Sequence, residues 1–343
     1  MSGFPSDKEA AAPSPEDRER AMAEALRDWK GRSLVAAHLR PDGDAVGAAM
    51  GLAHCLRAAG QDAVCVALTP VSEVYGFLLA DAPPCLDAPP ERLLAGDRLI
   101  AVDAGDETRL PKAVQPLCDG RIPILCIDHH ERTGGFADAF SLVESDAGSA
   151  SEIVFRVCEK AGFPIPRAAA EAFWTGIITD TGRFGYDSTS AATLAAASRL
   201  VGYGVRVQKI SESVYGTVPL RRLRLERRFL QNLQVAAGGT VAVGSLAPDD
   251  YAREGCDDTD SENFVDIARS VRGCRYAAFV RRVTPERKVN VSLRAAPPHD
   301  VAAICAEWGG GGHKAAAGAT LEMDLEAAIA LVRDRLVKAA SGS

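Results

Sequence analysis

The chain has 343 residues, a net charge of −7, and 47% hydrophobic against 25% charged residues. That length supports two domains and a sizeable core. The acidic balance excludes a broad electrostatic grip on long nucleic acid, which needs many cationic contacts to phosphate.

Residues 1–18 are polar and Pro-containing and are expected to form a disordered tail, without the apolar centre of a signal peptide. A helix is expected near Arg20–Lys30. Ser33–Ala37 reads as a strand, Ala45–Ala59 as a helix ended by Gly60, and Asp62–Leu68 as a second strand. Arg98–Val102 and Pro123–Ile127 are further strands. Ser149–Ala161, Arg167–Thr179 and Ala191–Tyr203 have helical spacing. Alternating strand and helix units imply an α/β fold with a parallel sheet and helices on both faces. No stretch reaches the roughly 18 apolar residues of a membrane span. Nine cysteines, with no Cys-x-x-Cys pair and several in apolar runs, suit buried thiols in a reducing cytoplasm.

The pattern changes after Gly204. Leu220–Leu233 is a basic amphipathic helix expected to connect the domains, with Leu220, Leu223, Leu225, Leu230 and Leu233 partly buried and its arginines solvated. Thr240–Leu246, Tyr276–Val283 and Lys288–Arg294 read as strands, Asp260–Ser270 and Leu325–Ala339 as helices. The expected organisation is a first domain over 19–204, a linker and connecting helix over 205–233, and a smaller α/β domain over 234–340.

The chemistry collects at segment ends. His38, Asp42 and Asp44 follow the first strand, with Pro41 stiffening the loop and Gly43 relaxing it. Asp103 follows the strand ending at Val102, and Asp128-His129-His130 follows Ile127. Asp180 follows an apolar run of helical spacing and is expected at a turn. In an open parallel sheet, ligands bind at the carboxyl ends of the strands. Taken singly, each residue suits an ordinary turn. Together they supply ligands for two divalent ions, with Asp103 the natural bridge. Mixed imidazole and carboxylate donors suit Mn²⁺, Fe²⁺, Co²⁺ or Zn²⁺ better than Mg²⁺. Such a pair activates water for attack on a phosphoryl group.

A second signal is Trp308 followed by GGGGHKAAAG at 309–318. Four glycines expose backbone N–H groups, and the Ala-rich continuation is expected to be helical, making an anion-binding nest or helix N-terminus. Lys314 follows His313, and no Ser or Thr follows the lysine, so this is not a Walker loop. Arg294, at a strand end, is a candidate bidentate phosphate clamp.

In order, HLRPDGDAVG (38–47), VDAG (102–105), IDHH (127–130), TDTGRF (179–184), VSLR (291–294) and GGGGHKAAAG (309–318) resemble the motifs of DHH family phosphoesterases that carry a DHH-associated C-terminal domain. The resemblance spans about residues 30–335 and is nearest the short nano-RNase/pAp phosphatases, which use Mn²⁺ on very short oligonucleotides and 3′-phosphoadenosine 5′-phosphate. It implies that His38, Asp42 and Asp103 hold one metal, and Asp44, Asp103, His129 and Asp180 the other. It implies that Asp128 supports the ligands and that His130 contacts phosphate and assists proton transfer. It implies that Arg294, Gly310, Gly311, Gly312 and His313 anchor the nucleotide from the other lobe, across an interdomain cleft. Arg183 is a further candidate phosphate ligand. Tyr75 and Phe77, in the loop 69–87, are candidates for stacking on a base. A homodimer through an apolar helix face is a further implication; a membrane or a long duplex is not an expected partner.

Other activities share parts of this pattern. A phosphodiesterase for cyclic dinucleotides or their linear products stands next. A RecJ-type single-strand exonuclease lacks its additional binding module here. A manganese pyrophosphatase shares the metal motifs without the Gly-His segment. A non-catalytic metal- or nucleotide-binding protein is the reading from another class.

Overall fold

A computed structural model describes residues 14–68, 70–130, 136, 139–283 and 287–342. The expected tail falls outside the described residues up to residue 13, as does Thr69 of the proposed substrate loop. The chain divides into two units at Gly216/Thr217.

The first unit runs α1 (Pro15–Arg27), β1 (Ser33–Ala36), α2 (Gly43–Ala58), β2 (Ala63–Val66), β3 (Cys85–Leu86), β4 (Arg98–Val102), β5 (Ile124–Asp128), β6 (Phe140–Val143), α3 (Ala150–Lys160), α4 (Arg167–Asp180), α5 (Ala191–Gly202) and α6 (Val207–Ser211). The first helix starts earlier than expected because Ser14 caps it, its Oγ accepting from the Asp17 N–H at 3.1 Å, with Pro15 at the first helical position. The order is β3-β2-β1-β4-β5-β6, parallel throughout. Strand order therefore reverses between β1 and β4, the switch point of a doubly wound sheet.

Alternate residues of the central strands enter separate cores. Val35, Ile100, Val102, Leu125 and Ile127 pack with Leu26, Leu52, Phe155 and Phe173 from the helices. Leu34, Ala36, Leu99, Ala101, Ile124 and Cys126 pack with Leu110, Val114 and Leu117. Both faces are covered, which is why these strands read as continuous apolar runs. The second cover corrects the expectation of helices on both faces: it is irregular chain with 3₁₀ turns at Glu107–Arg109 and Gln115–Cys118. Pro111, Pro116 and Gly120 fall where a longer helix would have to run.

The second unit runs α7 (Leu220–Gln231), β7 (Gln234–Ala236), β8 (Val241–Leu246), α8 (Pro248–Glu254), α9 (Phe264–Arg269), β9 (Tyr276–Arg281), β10 (Lys288–Ala295), α10 (Val301–Ala306), β11 (Gly311–His313), β12 (Ala316–Glu322) and α11 (Leu325–Ser341). Its sheet is mixed, in the order β11-β12-β10-β9-β8-β7. Only the β8–β9 pair is parallel. Val289, Val291, Leu293 and Ala295 of β10 face α10 and α11, so Arg294 points to the opposite side. That side is built on Phe229, Phe264 and Phe279, whose ring centroids lie 5.2–6.1 Å apart.

Three further expectations change. On α7 the buried residues are Leu225 and Phe229, four apart on one face, while Leu220, Leu223 and Leu230 are about half exposed or more. The stretch 205–233, expected as a linker and connecting helix, gives Val205 and Ile210 to the first core and Leu225 and Phe229 to the second. The helix expected over 260–270 is broken, with a 3₁₀ turn at Asp258–Ser261 and a left-handed Asn263 (φ +64°) before α9.

Candidate active site

The carboxyl ends of β1, β4 and β5 open at the switch point, and the side chains predicted to bind metal meet there. After β1 the chain turns through Arg40, at φ +57°, into Asp42. Asp42 caps α2, its Oδ1 accepting from the N–H groups of Asp44 (3.0 Å) and Ala45 (3.1 Å). His38 Nδ1 lies 3.0 Å from the Leu39 carbonyl; donation there presents Nε2 to the site. Nε2 stands 3.4 Å from Asp103 Oδ2 and 3.7 Å from Asp42 Oδ1.

Asp44 is buried and held from behind. Its two carboxylate oxygens accept from the Ala150 N–H at 2.6 Å and the Ser151 N–H at 2.8 Å, in the first turn of α3, where donors lack partners within the helix. The first turn of α3 is itself fixed by Ser149, which accepts from the Glu152 N–H, while Glu152 accepts from the Gly148 N–H. Gly176 of α4 makes the approach possible: a Cβ there would lie 2.0 Å from Ser151 Oγ and 2.7 Å from Asp44 Oδ1. Sequence reasoning missed this support. The Ser149-Ala150-Ser151-Glu152 capping pattern was its readable signal.

Asp103 sits at φ +52°, a left-handed conformation for a residue with a Cβ, and is buried. Its Oδ2 faces His38, while its Oδ1 lies 3.8 Å from His129 Nε2 and 3.3 Å from His130 Nδ1. His130 Nδ1 is nearer Asp128 Oδ1, at 2.9 Å, and Asp103 Oδ1 is left buried without a hydrogen bond. Asp128 Oδ1 also accepts from the backbone N–H groups of His129 (2.7 Å) and His130 (3.1 Å), so one carboxylate orients the whole turn. Asp180, the last residue of α4, reaches His129 Nε2 at 3.2 Å, and Asp44 Oδ2 reaches it at 3.8 Å. Asp180 thus sits at a helix end, the alternative to a strand end that the helical spacing before it offers.

The electrostatics call for added positive charge. Burial, then the negative charges of Asp103 and Asp180, push Asp44 well above the usual carboxylate range. Burial, then Asp103 and Asp42, push Asp180 up to about 8. Burial opposes charge on His38 and His130, yet the carboxylates of Asp103 and of Asp42 or Asp128 close by carry each to about 10. Burial also works against charge on Asp103, but the close approach of His130 and His38 keeps its carboxyl far below the usual range. Without bound cations, this cavity recruits protons in their place. The unsatisfied Asp103 oxygen, the mixed N/O donor set, and two neighbouring groups of donors fit a pair of divalent cations: His38, Asp42 and Asp103; and Asp44, His129 and Asp180.

The remaining predicted residues have their own surroundings. Arg183, at φ +61°, stacks its guanidinium 4.8 Å from the Tyr215 ring centroid, and the Tyr215 hydroxyl donates to the Ile178 carbonyl at 3.0 Å. Tyr75 and Phe77 pack partly buried against the first core. In the second unit, Arg294 donates to the Leu293 carbonyl at 3.1 Å, with Asp266 3.8 Å from its Nε. Gly311–His313 form a strand, and the Ala-rich continuation, expected as a helix, pairs antiparallel with β10. Sheet pairing overrides alanine's helical preference here. The strands approach so closely that a Cβ on Gly310 would sit 2.2 Å from the Gly318 carbonyl oxygen, and one on Gly312 2.6 Å from that of Ala316. Gly311 and His313 are exposed. No helix among the described residues is long and apolar enough to cross a membrane.

An acid–imidazole cluster at the switch point of a parallel sheet, on a chain with a second α/β unit, defines a phosphoester hydrolase. The chain belongs to the DHH family: the family's N-terminal domain matches residues 32–177, and the DHHA1 domain matches residues 238–338. It is 31% identical to the bifunctional oligoribonuclease and PAP phosphatase NrnA of Thermus thermophilus, over 96% of this chain and 98% of that protein. It is 26% identical to the protein of the same description in Bacillus subtilis, over 83% and 87% of the two chains. A crystal structure of an exopolyphosphatase-related protein from Bacteroides fragilis matches with a TM-score of 0.84 and 24% identity, covering 94% of this chain and 96% of that one, and supports the fold.

Proposed function

We propose that this enzyme hydrolyses short oligoribonucleotides and 3′-phosphoadenosine 5′-phosphate with two divalent cations. The carrying observation is Asp103, a buried carboxylate whose two oxygens face different imidazoles. The near-full-length match to the Thermus thermophilus relative supports the substrate class.

In this reading His38, Asp42 and Asp103 hold one cation, and Asp44, Asp103, His129 and Asp180 the other. Two cations bound there supply an activated water and offset the charge that grows on the transferred phosphoryl group. The donor set favours Mn²⁺ over Mg²⁺. Asp128 locks the His130 ring through Nδ1, so that His130 can contact the phosphate and give a proton to the leaving oxygen. Arg294, His313 and the amides of Gly310, Gly311 and Gly312 grip the nucleotide, and Arg183 adds a cation for a phosphate. The enzyme works in the cytoplasm, on short strands rather than long duplexes, and pairs with itself through an apolar helix face.

The test is turnover with Mn²⁺ on a panel of 3′-phosphoadenosine 5′-phosphate, a 5′-phosphorylated dinucleotide, a long single strand, a cyclic dinucleotide and pyrophosphate. Cleavage of the first two above the rest is expected. Turnover of pyrophosphate alone overturns the proposal.

A further inference from the structure

Cys85 is the one exposed thiol among the chain's nine cysteines. It opens β3, the edge strand, and its register partner across the parallel β2–β3 pair is Cys65, which is buried. Directly paired residues on neighbouring strands point to the same face, with the strands about 4.7–4.9 Å apart. That separation falls within the roughly 4.4–6.8 Å between Cα atoms that a disulfide spans.

The two sulfurs differ in a useful way. The Cys65 hydrogen bond lowers the pKa of Cys85, with burial working the other way. The same contact, then burial, raises Cys65 well above the ordinary thiol value. An accessible nucleophile thus stands beside a shielded second thiol, the arrangement of an attacking and a resolving cysteine. Elsewhere the pattern is absent. Cys55 and Cys158 touch each other but are both buried. Burial raises Cys118, Cys256, Cys274 and Cys305.

We propose that Cys65 and Cys85 are a redox-responsive pair that closes to a disulfide when it meets a low-molecular-weight disulfide. Cys85 sulfur attacks one sulfur of the small disulfide, breaking its S–S bond; a mixed disulfide forms and one small thiolate leaves. Cys65 sulfur then attacks Cys85 sulfur, the protein S–S bond forms, and the second small thiolate leaves, taking up the proton that Cys65 releases. The protein dithiol is oxidised, and one small disulfide is reduced to two thiols. The new bond pins the two-residue edge strand and closes the segment 66–84, which carries the 3₁₀ turn Glu73–Leu79 with Tyr75 and Phe77.

The full-length protein is incubated with glutathione disulfide, alkylated without reduction, digested and analysed by mass spectrometry. The expected result is loss of two free thiols per chain and a peptide linked through Cys65 and Cys85, both reversed by a phosphine reductant. Cys85→Ser, an exposed change that spares the core, is expected to abolish the reaction. Cys65→Ser is expected to retain glutathione on Cys85. An unchanged thiol count, stable glutathionylation of Cys85 in the unaltered protein without the link, or a first link between Cys55 and Cys158 each overturns the proposal.

Discussion

In the first unit, five aspartates and three histidines meet within ion-pair distance at the carboxyl edge of the parallel sheet, and Asp44, Asp103 and Asp128 are fully buried. In the second, Arg294 is half-buried on one strand, while Gly311 and His313 are exposed on a hairpin. The first arrangement is expensive without cations, because buried like charges repel and resist desolvation. The second holds its polar groups near water at little cost, and suits transient contact with an anion. On the proposed function, the contrast separates a permanent store of charge from a surface that needs charge only when substrate arrives.

Changes in the two units should therefore fail in different ways. Asp103→Asn should remove several kcal/mol of transition-state stabilisation, a loss of about 10⁴-fold at about 1.36 kcal/mol per decade, together with metal measured by elemental analysis. Full activity in that variant would break the comparison at its centre. His130→Asn should lower kcat by roughly 10²–10³-fold while two cations stay bound, because only the proton donor is lost. Arg294→Ala should raise KM roughly ten- to a hundred-fold with kcat and metal content kept, as expected for one charge-assisted contact. Loss of metal in that variant would erase the distinction between the units.

Gly176→Ala should act through structure alone. Its methyl group collides with Ser151 Oγ and Asp44 Oδ1, costing about 1–3 kcal/mol. That corresponds to roughly 2–4 °C in Tm for each kcal/mol in a unit of this size. A further effect concerns pH. Asp180 rises from 3.8 to about 8 on folding, so the native state binds the extra proton and stability falls as pH climbs between those values. His38 and His130 rise from 6.5 to about 10, so their contribution is complete below 6.5 and is lost as pH passes through 10. Chelated protein should thus melt at a lower temperature at pH 9 than at pH 6, and Mn²⁺ should shrink that difference. Calorimetry with and without chelator checks it.

Much of the first unit was legible in the sequence because the apolar runs of β1, β4 and β5 lead directly into His38, Asp103 and Asp128. The short edge strand Cys85–Leu86 and the strand Phe140–Val143 were not, since they have too few residues for periodicity to register. The support of Asp44 by α3 joins residues more than a hundred positions apart; the capping pattern at Ser149 and Glu152 marks the helix start but not the carboxylate it holds. The Ala-rich run after His313 misled for a physical reason. Alanine favours a helix in isolation, but here small side chains are what allow three strands to lie close together.

The left-handed backbone at Asp103 has a consequence for how this enzyme can change. Glycine would relax the torsion there and remove a carboxylate from a crowded, dehydrated pocket. A hardier molecule therefore lies one substitution away, and it is an inert one. On the proposed function, this position is where catalysis stands at the expense of robustness.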